Sequence, residues 1–490
     1  MKTRKFDLSL IIMIAISLLT QVLSLLKSSI VAGSFGAGSD MDAYNLANNI
    51  VTFAFGFVAS GISTIIIPEY ANRRNKTAVD TFITIIYGVM IVVVALMIAL
   101  RVQLVGMFNN RGEMFTNLVA NILIILLLAQ YLSSIANITI AYFQCEGRYN
   151  IPKVISLIFQ IAVIIALLFI RNINIIQYTV IISAGVIFNF VFDTVIALKL
   201  GWRYKPILVF SDETKLLFKR FVPIIVSTGV YRLTLMIDTT ISSFLDTGKL
   251  SILSYSSQIS SMVDAVVVGN MMIYLYPKIT KGINNAGYQK QFWKSSAVLH
   301  AVVCLVSAGF LTVGREGVAL LFQHGAFTAD ATKMVFIGSA IYIVGHQTGI
   351  IRDLIYRYFY AMGDTKTPGI NSITVSVLNI VFSVVLVWLI GFYGIIIGTF
   401  LSSTCSLIII FVRFKNVIGF DERVSVIINR YALSILVFVV TVVLVYLTKY
   451  VAPISNNLIS LLVFGIETVI IYAALSLLFN RKTLANFKNL

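Results

Sequence analysis

Apolar windows about 20 residues long recur from one end of this chain to the other, and nothing else in the sequence limits its fold so tightly. A helix needs roughly 20 mainly apolar residues to cross the hydrocarbon core of a bilayer. Only 12% of the 490 residues are charged and 59% are hydrophobic, whereas soluble domains carry about 25% charged residues. Mean hydropathy is +0.94. No polar stretch remains that is long enough for a separate soluble domain.

Hydropathy predicts spans near 8–33, 44–68, 80–100, 117–143, 151–170, 175–198, 218–245, 252–276, 295–314, 334–360, 367–390, 393–412, 431–448 and 457–479. The basic stretch Met1–Phe6 precedes an apolar run without a small-residue cleavage site, so an uncleaved first span is expected. Cys145, Cys304 and Cys405 are odd in number and far apart, which gives neither a disulfide framework nor a metal site.

Charge tests the topology. With the N-terminus in the cytoplasm, the eight cytoplasmic segments hold 28 of the 37 Lys and Arg and the seven outer loops hold 7; Lys27 and Arg232 lie inside spans. That bias is what the positive-inside rule requires, and it puts both termini in the cytoplasm. Basic loops beside the anionic inner leaflet account for the net charge of +17. Nucleic-acid binding is not needed to explain it.

The chain also repeats itself. Residues 142–152, YFQCEGRYNIP, and residues 358–368, YFYAMGDTKTP, share Y-F-x-x-x-G-x-x-x-x-P at an offset of 216 residues. Phe35 to Pro68 and Phe244 to Pro277 repeat at nearly the same offset. Six spans separate the copies, so both halves keep one orientation: a parallel duplication with a substrate path between two lobes. The expected fold is an all-α integral membrane protein of about fourteen helices. It comprises an N-terminal lobe (1–199, spans 1–6), a cytoplasmic linker (200–216), a C-terminal lobe (217–413, spans 7–12), two further spans (431–479) and a cytoplasmic tail (480–490).

Ionisable residues inside spans are expensive and are functional candidates by default. Here they are Lys27, Asp193, Arg232, Asp238, Asp264, His346 and Glu467, with Asp42 and Arg352 nearer span ends. Each also has a structural reading: Arg352 and Asp193 can snorkel, Glu467 can be neutral or paired, and His346 can be a hydrogen-bonded core residue. Lys27 and Asp42 flank the turn FGAGSD, and a cation there suits a diphosphate or other anionic head group. Arg232 and Asp238 are six residues apart, which gives them different partners. Asp238, Asn379, Ser383 and Thr399 offer only oxygen ligands; they suit Na⁺ or a proton as coupling ion, or interhelical hydrogen bonds in a polar core. The outer stretch 316–331 reads as a short interfacial amphipathic helix, a turn and a helix start at Thr328, serving to anchor the outer mouth or to gate it.

The sequence has no H-E-x-x-H, no P-loop and no Cys/His cluster. A transporter is therefore expected, not an enzyme, with no cofactor and no ATP site, driven by a gradient of Na⁺, H⁺ or the substrate itself.

Three segments carry a family resemblance: SSIVAGSFGAGSDMDAYNLAN with the later IIIPEY, SYSSQIS followed by Pro277, and LFQHGAFT joined to RYFYAMGDTKTP. They resemble the MviN/MurJ family of lipid II flippases, over most of residues 20–410. The resemblance implies a fourteen-helix bacterial inner-membrane protein with two six-helix lobes and a groove by the last two helices for a polyprenyl tail. It also implies alternating access that carries an undecaprenyl-diphosphate-linked glycan, lipid II by default, from the inner to the outer leaflet, alongside envelope-synthesis proteins. Asp42 and Arg357 match the family pattern. Lipid II flippases usually carry arginines at the positions of Gln21, Lys27, Phe55 and Gln258, so one cation survives here, as Lys27. The family's proline is replaced by Val263, with Asp264 after it. The resemblance thus assigns the head group to Lys27, Asp42, Gln258 and Arg357, with Arg232, Asp264 and Arg352 as further contacts. A different lipid-linked glycan, such as a capsule or exopolysaccharide unit, is the alternative cargo. An ion-coupled exporter of cationic drugs and a non-transporting scaffold are the competing functions.

Overall fold

Long apolar runs fold as helices throughout the chain, because a helix satisfies its own backbone polar groups where no water can. The computed structural model describes residues 2–71, 76–148, 150–170, 172–269 and 287–479, with isolated positions between 272 and 285. In order, the helices are α1 (Lys2–Phe35), α2 (Ser39–Ala71), α3 (Lys76–Ala99), the short α4 (Arg101–Gly106), α5 (Glu113–Cys145), α6 (Asn150–Phe169), α7 (Ile175–Lys199), α8 (Asp212–Ser243) and α9 (Lys249–Val263). A π-helical segment (Asp264–Gly269) extends α9. Then come α10 (Tyr288–Phe322), α11 (Ala329–Ala361), α12 (Lys366–Ile390), α13 (Tyr393–Val417), α14 (Val424–Val451) and α15 (Asn457–Phe479). Among the described residues, eleven helices are long and apolar enough to cross a membrane. The expected span 252–276 is seen only as far as the described residues reach, and both Pro277 and the tail 480–490 lie outside them.

The repeated motif repeats in three dimensions. After α5, Arg148 N–H bonds to Phe143 C=O at 2.8 Å and Gly147 N–H to Gln144 C=O at 3.1 Å. After α11, Asp364 N–H bonds to Phe359 C=O at 2.9 Å and Gly363 N–H to Tyr360 C=O at 3.0 Å. Both are Schellman turns, which need a left-handed residue after the helix. Gly147 (φ 71°) and Gly363 (φ 83°) supply it without the strain of a Cβ.

Two compact units make up the chain, Met1–Ser251 and Ile252–Leu490. In the first, α2 packs on α5 and α8, α5 on α7, and α1 on α6. Phe82 of α3 meets Phe218 and Phe221 of α8 at ring separations of 4.9 and 5.3 Å. The connection before α8 lies along α3: Val209 N–H donates to Thr81 Oγ1 at 3.1 Å, and the Tyr204 and Thr84 hydroxyls are 2.8 Å apart. In the second unit α10 packs on α11, α14 and α15, and α12 and α13 pack along each other. Its aromatic core joins Phe292, Trp293, Tyr358 and Phe414. Between helices surrounded by lipid, such packing and interhelical hydrogen bonds replace the hydrophobic drive. Tyr472 donates to Ala301 C=O at 2.6 Å, and Thr312 and Thr468 share a hydroxyl pair at 2.8 Å.

One expectation is corrected. Residues 316–322 are not a separate interfacial helix but the end of α10, which runs unbroken to Phe322. The helix continues because EGVALLF has no proline, a single Gly317 is tolerated inside a helix, and Glu316 is paired with Lys449 at 2.6 Å. The helix start at Thr328 is as expected: its hydroxyl caps α11 by accepting from Ala331 N–H at 3.2 Å.

Candidate functional site

In the first unit the polar centre forms around Asp42, in the opening turn of α2, where a helix dipole favours an anion. The residue is fully buried. Its Oδ2 accepts from Arg111 Nη1 and Gly248 N–H, both at 2.6 Å. Its Oδ1 accepts from Ser251 N–H at 2.7 Å and Ser251 Oγ at 2.6 Å. Arg111 uses its remaining donors on the turn after α8, reaching Ser243 C=O at 3.2 Å, Leu245 C=O at 3.1 Å and Asp246 C=O at 3.3 Å. Both Asp42 oxygens are therefore occupied by protein donors. Arg111 and Ser251 carry no signal within the predicted spans, since both lie just outside them.

Lys27 is half-buried on α1, and Asp238 is buried on α8. Arg232, also on α8, rests on α2 at Gly56, where a Cβ would lie 2.7 Å from Arg232 Nε. That Nε is buried without a hydrogen-bond partner. Among the described residues no carboxylate pairs with Lys27 or Arg232.

In the second unit the structure brings together Asp264 and His346. His346 Nδ1 of α11 lies 3.6 Å from Asp264 Oδ1, and His346 Nε2 lies 2.9 Å from Ser260 Oγ. Arg352, one and a half turns further along α11, is paired with its neighbour Asp353 through Nη2 and Nε, each at 2.9 Å; its Nη1 donates to Ser403 Oγ at 3.2 Å. Gln258 on α9 and Arg357 on α11 are half-buried. Asn379 and Ser383 are buried on α12, and Asn379 Oδ1 accepts from Ser402 Oγ of α13 at 3.3 Å. The Thr399 hydroxyl donates within α13 to Ile395 C=O at 3.2 Å.

Long apolar helices in two units that share a repeated turn, with cations and carboxylates spent on buried positions of the spans, are the build of a multi-pass membrane transporter. A family model described as Lipid II flippase MurJ matches residues 31–464, and the chain belongs to that family. It is a transporter and not an enzyme. A probable lipid II flippase MurJ of Buchnera aphidicola subsp. Baizongia pistaciae is 23% identical over 391 residues, covering 76% of each chain. A solved lipid II flippase MurJ in an inward closed conformation superposes with a TM-score of 0.83 at 19% identity, covering 96% of this chain and 100% of that one. An inward-facing multidrug resistance MATE transporter gives 0.63 at 13% identity, over 83% of this chain and 97% of that one. These superpositions speak for the fold.

Proposed function

We propose that this chain is the flippase for an undecaprenyl-diphosphate-linked cell-wall precursor, with lipid II as the default cargo. Family membership over residues 31–464 is the observation that carries this reading. The protein sits in the bacterial inner membrane with both termini cytoplasmic and works by alternating access, the polar head group crossing beside protein while the tail stays in lipid. Such a route avoids the cost of moving charge through hydrocarbon.

The diphosphate is held by Lys27 and Arg232. Both are cations on spans without a paired carboxylate among the described residues, and Arg232 keeps a buried donor free. Gln258, Arg352 and Arg357 contact the glycan portion, while Asp42 acts by holding the turn before α9 in place. Asp238 in the first unit, and Asn379 and Ser383 with Thr399 in the second, are separate candidates for ion-coupling residues.

A strain depleted of its own lipid II flippase tests the cargo. Growth restored by the parent, and lost with Lys27→Ala or Arg232→Ala at normal protein levels, supports the reading. Failure of the well-expressed parent removes lipid II and favours a second reading, another lipid-linked glycan. Gln21, Phe55 and Gln258, where the family carries arginines, are the observation behind that alternative.

A further inference from the structure

Histidine is the side chain whose ordinary titration falls between pH 5 and 8, and ionisable groups within spans mark ion pathways by default. His346 stands at such a place with a carboxylate on one nitrogen and a serine on the other. Its Nδ1 is 3.6 Å from Asp264 Oδ1; its Nε2 is 2.9 Å from Ser260 Oγ and 3.3 Å from Ser260 C=O. The Asp264 side chain is 51% exposed and that of His346 is 22% exposed.

Among the described residues, few charged groups are packed against this pair. From α11, Arg352 and Asp353 act on the Asp264 charge in opposite directions, and they pair with each other at 2.9 Å. From α13, Ser403 meets Arg352 and not the pair. The hollow beside His346 is lined by Val263, Val267, Val268, Ile343 and, from α10, Val303 and the Ser307 hydroxyl; among the described residues lining it none other than His346 is ionisable.

The pair is also attached to an irregular helix. Asp264 opens the π-helical segment, and Ser260 stands one α-helical turn before it, where the backbone register changes. Single π-turns inside helices occur frequently at functional sites because they loosen the hydrogen-bond ladder. With its proton on Nδ1, towards Asp264, a neutral His346 accepts the Ser260 hydroxyl proton at Nε2. A protonated one must instead donate there, to the serine oxygen or to its carbonyl. Proton uptake therefore changes the bond between α11 and the very turn where α9 leaves α-helical register.

We propose that Asp264 and His346 form a proton-binding site and that the proton taken up there is the ion coupled to transport. The assignment to coupling rests on the flippase reading; the binding site does not. One proton from the outer aqueous phase binds the imidazole, the net charge of the pair goes from −1 to neutral, and the proton leaves on the cytoplasmic side as the head group moves outward.

The test has two arms on the full-length chain. The first is infrared difference spectroscopy in lipid nanodiscs between pH 5 and 8, on parent, Asp264→Asn and His346→Asn. Imidazole bands that titrate in the parent, are lost in His346→Asn and are shifted in Asp264→Asn are expected; an unchanged spectrum in either well-folded variant overturns the site. The second arm follows flipping of lipid II in proteoliposomes with and without an acid outer side. Acceleration of the parent, with a rate ratio of about 1 in both variants, is expected, since equal rates mean no coupling. Variants as responsive as the parent, or a response only to Na⁺, overturn the coupling. A parent that moves no lipid II in either condition yet shows the titrating bands sinks the cargo reading and leaves the site standing.

Discussion

Arg111 Nη1 lies 2.6 Å from Asp42 Oδ2, an ion pair that fixes the loop before α5 to the first turn of α2. The carboxylate is fully buried and the Arg111 side chain is 12% exposed, so neither charge has water to fall back on. Removing one partner of such a pair costs about 3–5 kcal/mol, because the other charge is left behind. Arg111→Ala and Asp42→Ala are each expected to lower the thermal midpoint in detergent and the amount of protein in membranes. The double variant should lose far less than the sum of the two. Single variants that melt like the parent would remove the pair from the architecture.

Gly248 donates its N–H to the same carboxylate from a φ of 90°, and a Cβ there would collide with the Ala37 carbonyl oxygen. Gly363 has a similar φ of 83° with open space around it. Gly363→Ala should therefore cost only the left-handed strain, about 1–2 kcal/mol. Gly248→Ala adds a backbone collision and pulls a donor away from Asp42. Thermal melts of the two variants side by side check this, and an equal loss in both would contradict the collision.

These contacts mark where sequence stopped being readable. Helices such as α12 and α15 announce themselves by length and apolarity alone, and the YF…G…P repeat disclosed two identical helix ends. Pairing between distant loops has no such signature: Asp42 and Arg111 are 69 residues apart. A signal did exist, however. The positive-inside rule assigns few cations to the outer loops, and two of those, Arg111 and Lys449, pair with the shielded carboxylates of Asp42 and Glu316. The π-helical segment was illegible for a different reason, since six residues at altered register, Asp264–Gly269, leave no periodicity to detect. Its only trace in the sequence was a carboxylate within a span.

Outside the spans, the loop between α13 and α14 makes a pH-dependent contact. Arg430 grips both Glu422 oxygens, at 2.7 and 2.6 Å, and this hydrogen-bonded ion pair holds the carboxyl below its usual range. Lys290 and Lys294 of α10 act in the same direction. The folded value is the lower one, so the stabilisation is complete above the unfolded value of about 4.3 and is lost as pH falls through the folded value. The thermal midpoint of the parent should drop as pH is taken from neutral to below about 4. Glu422→Gln should begin lower and show a smaller drop. An identical acid profile in the variant would place the acid sensitivity elsewhere.

Lys449 of α14 donates to Glu316 of α10 at 2.6 Å, donates to Thr312 C=O, and lies 5.1 Å above the ring of Phe464 on α15. Ser460 of α15 donates to the same Glu316 oxygen at 3.0 Å, so one carboxylate ties both C-terminal helices to α10. The side chains of Lys449 and Glu316 are 16% and 17% exposed, while Glu316 Oε2 is buried without a partner. Lys449→Met strands a buried carboxylate and is expected to cost about 3–5 kcal/mol, whereas Lys449→Met with Glu316→Gln removes both charges and should recover most of that. A double-mutant cycle by thermal unfolding measures the coupling. If the cluster only positions α14 and α15, the double variant regains flipping together with stability. Should it regain stability but not flipping, the charge itself takes part in transport.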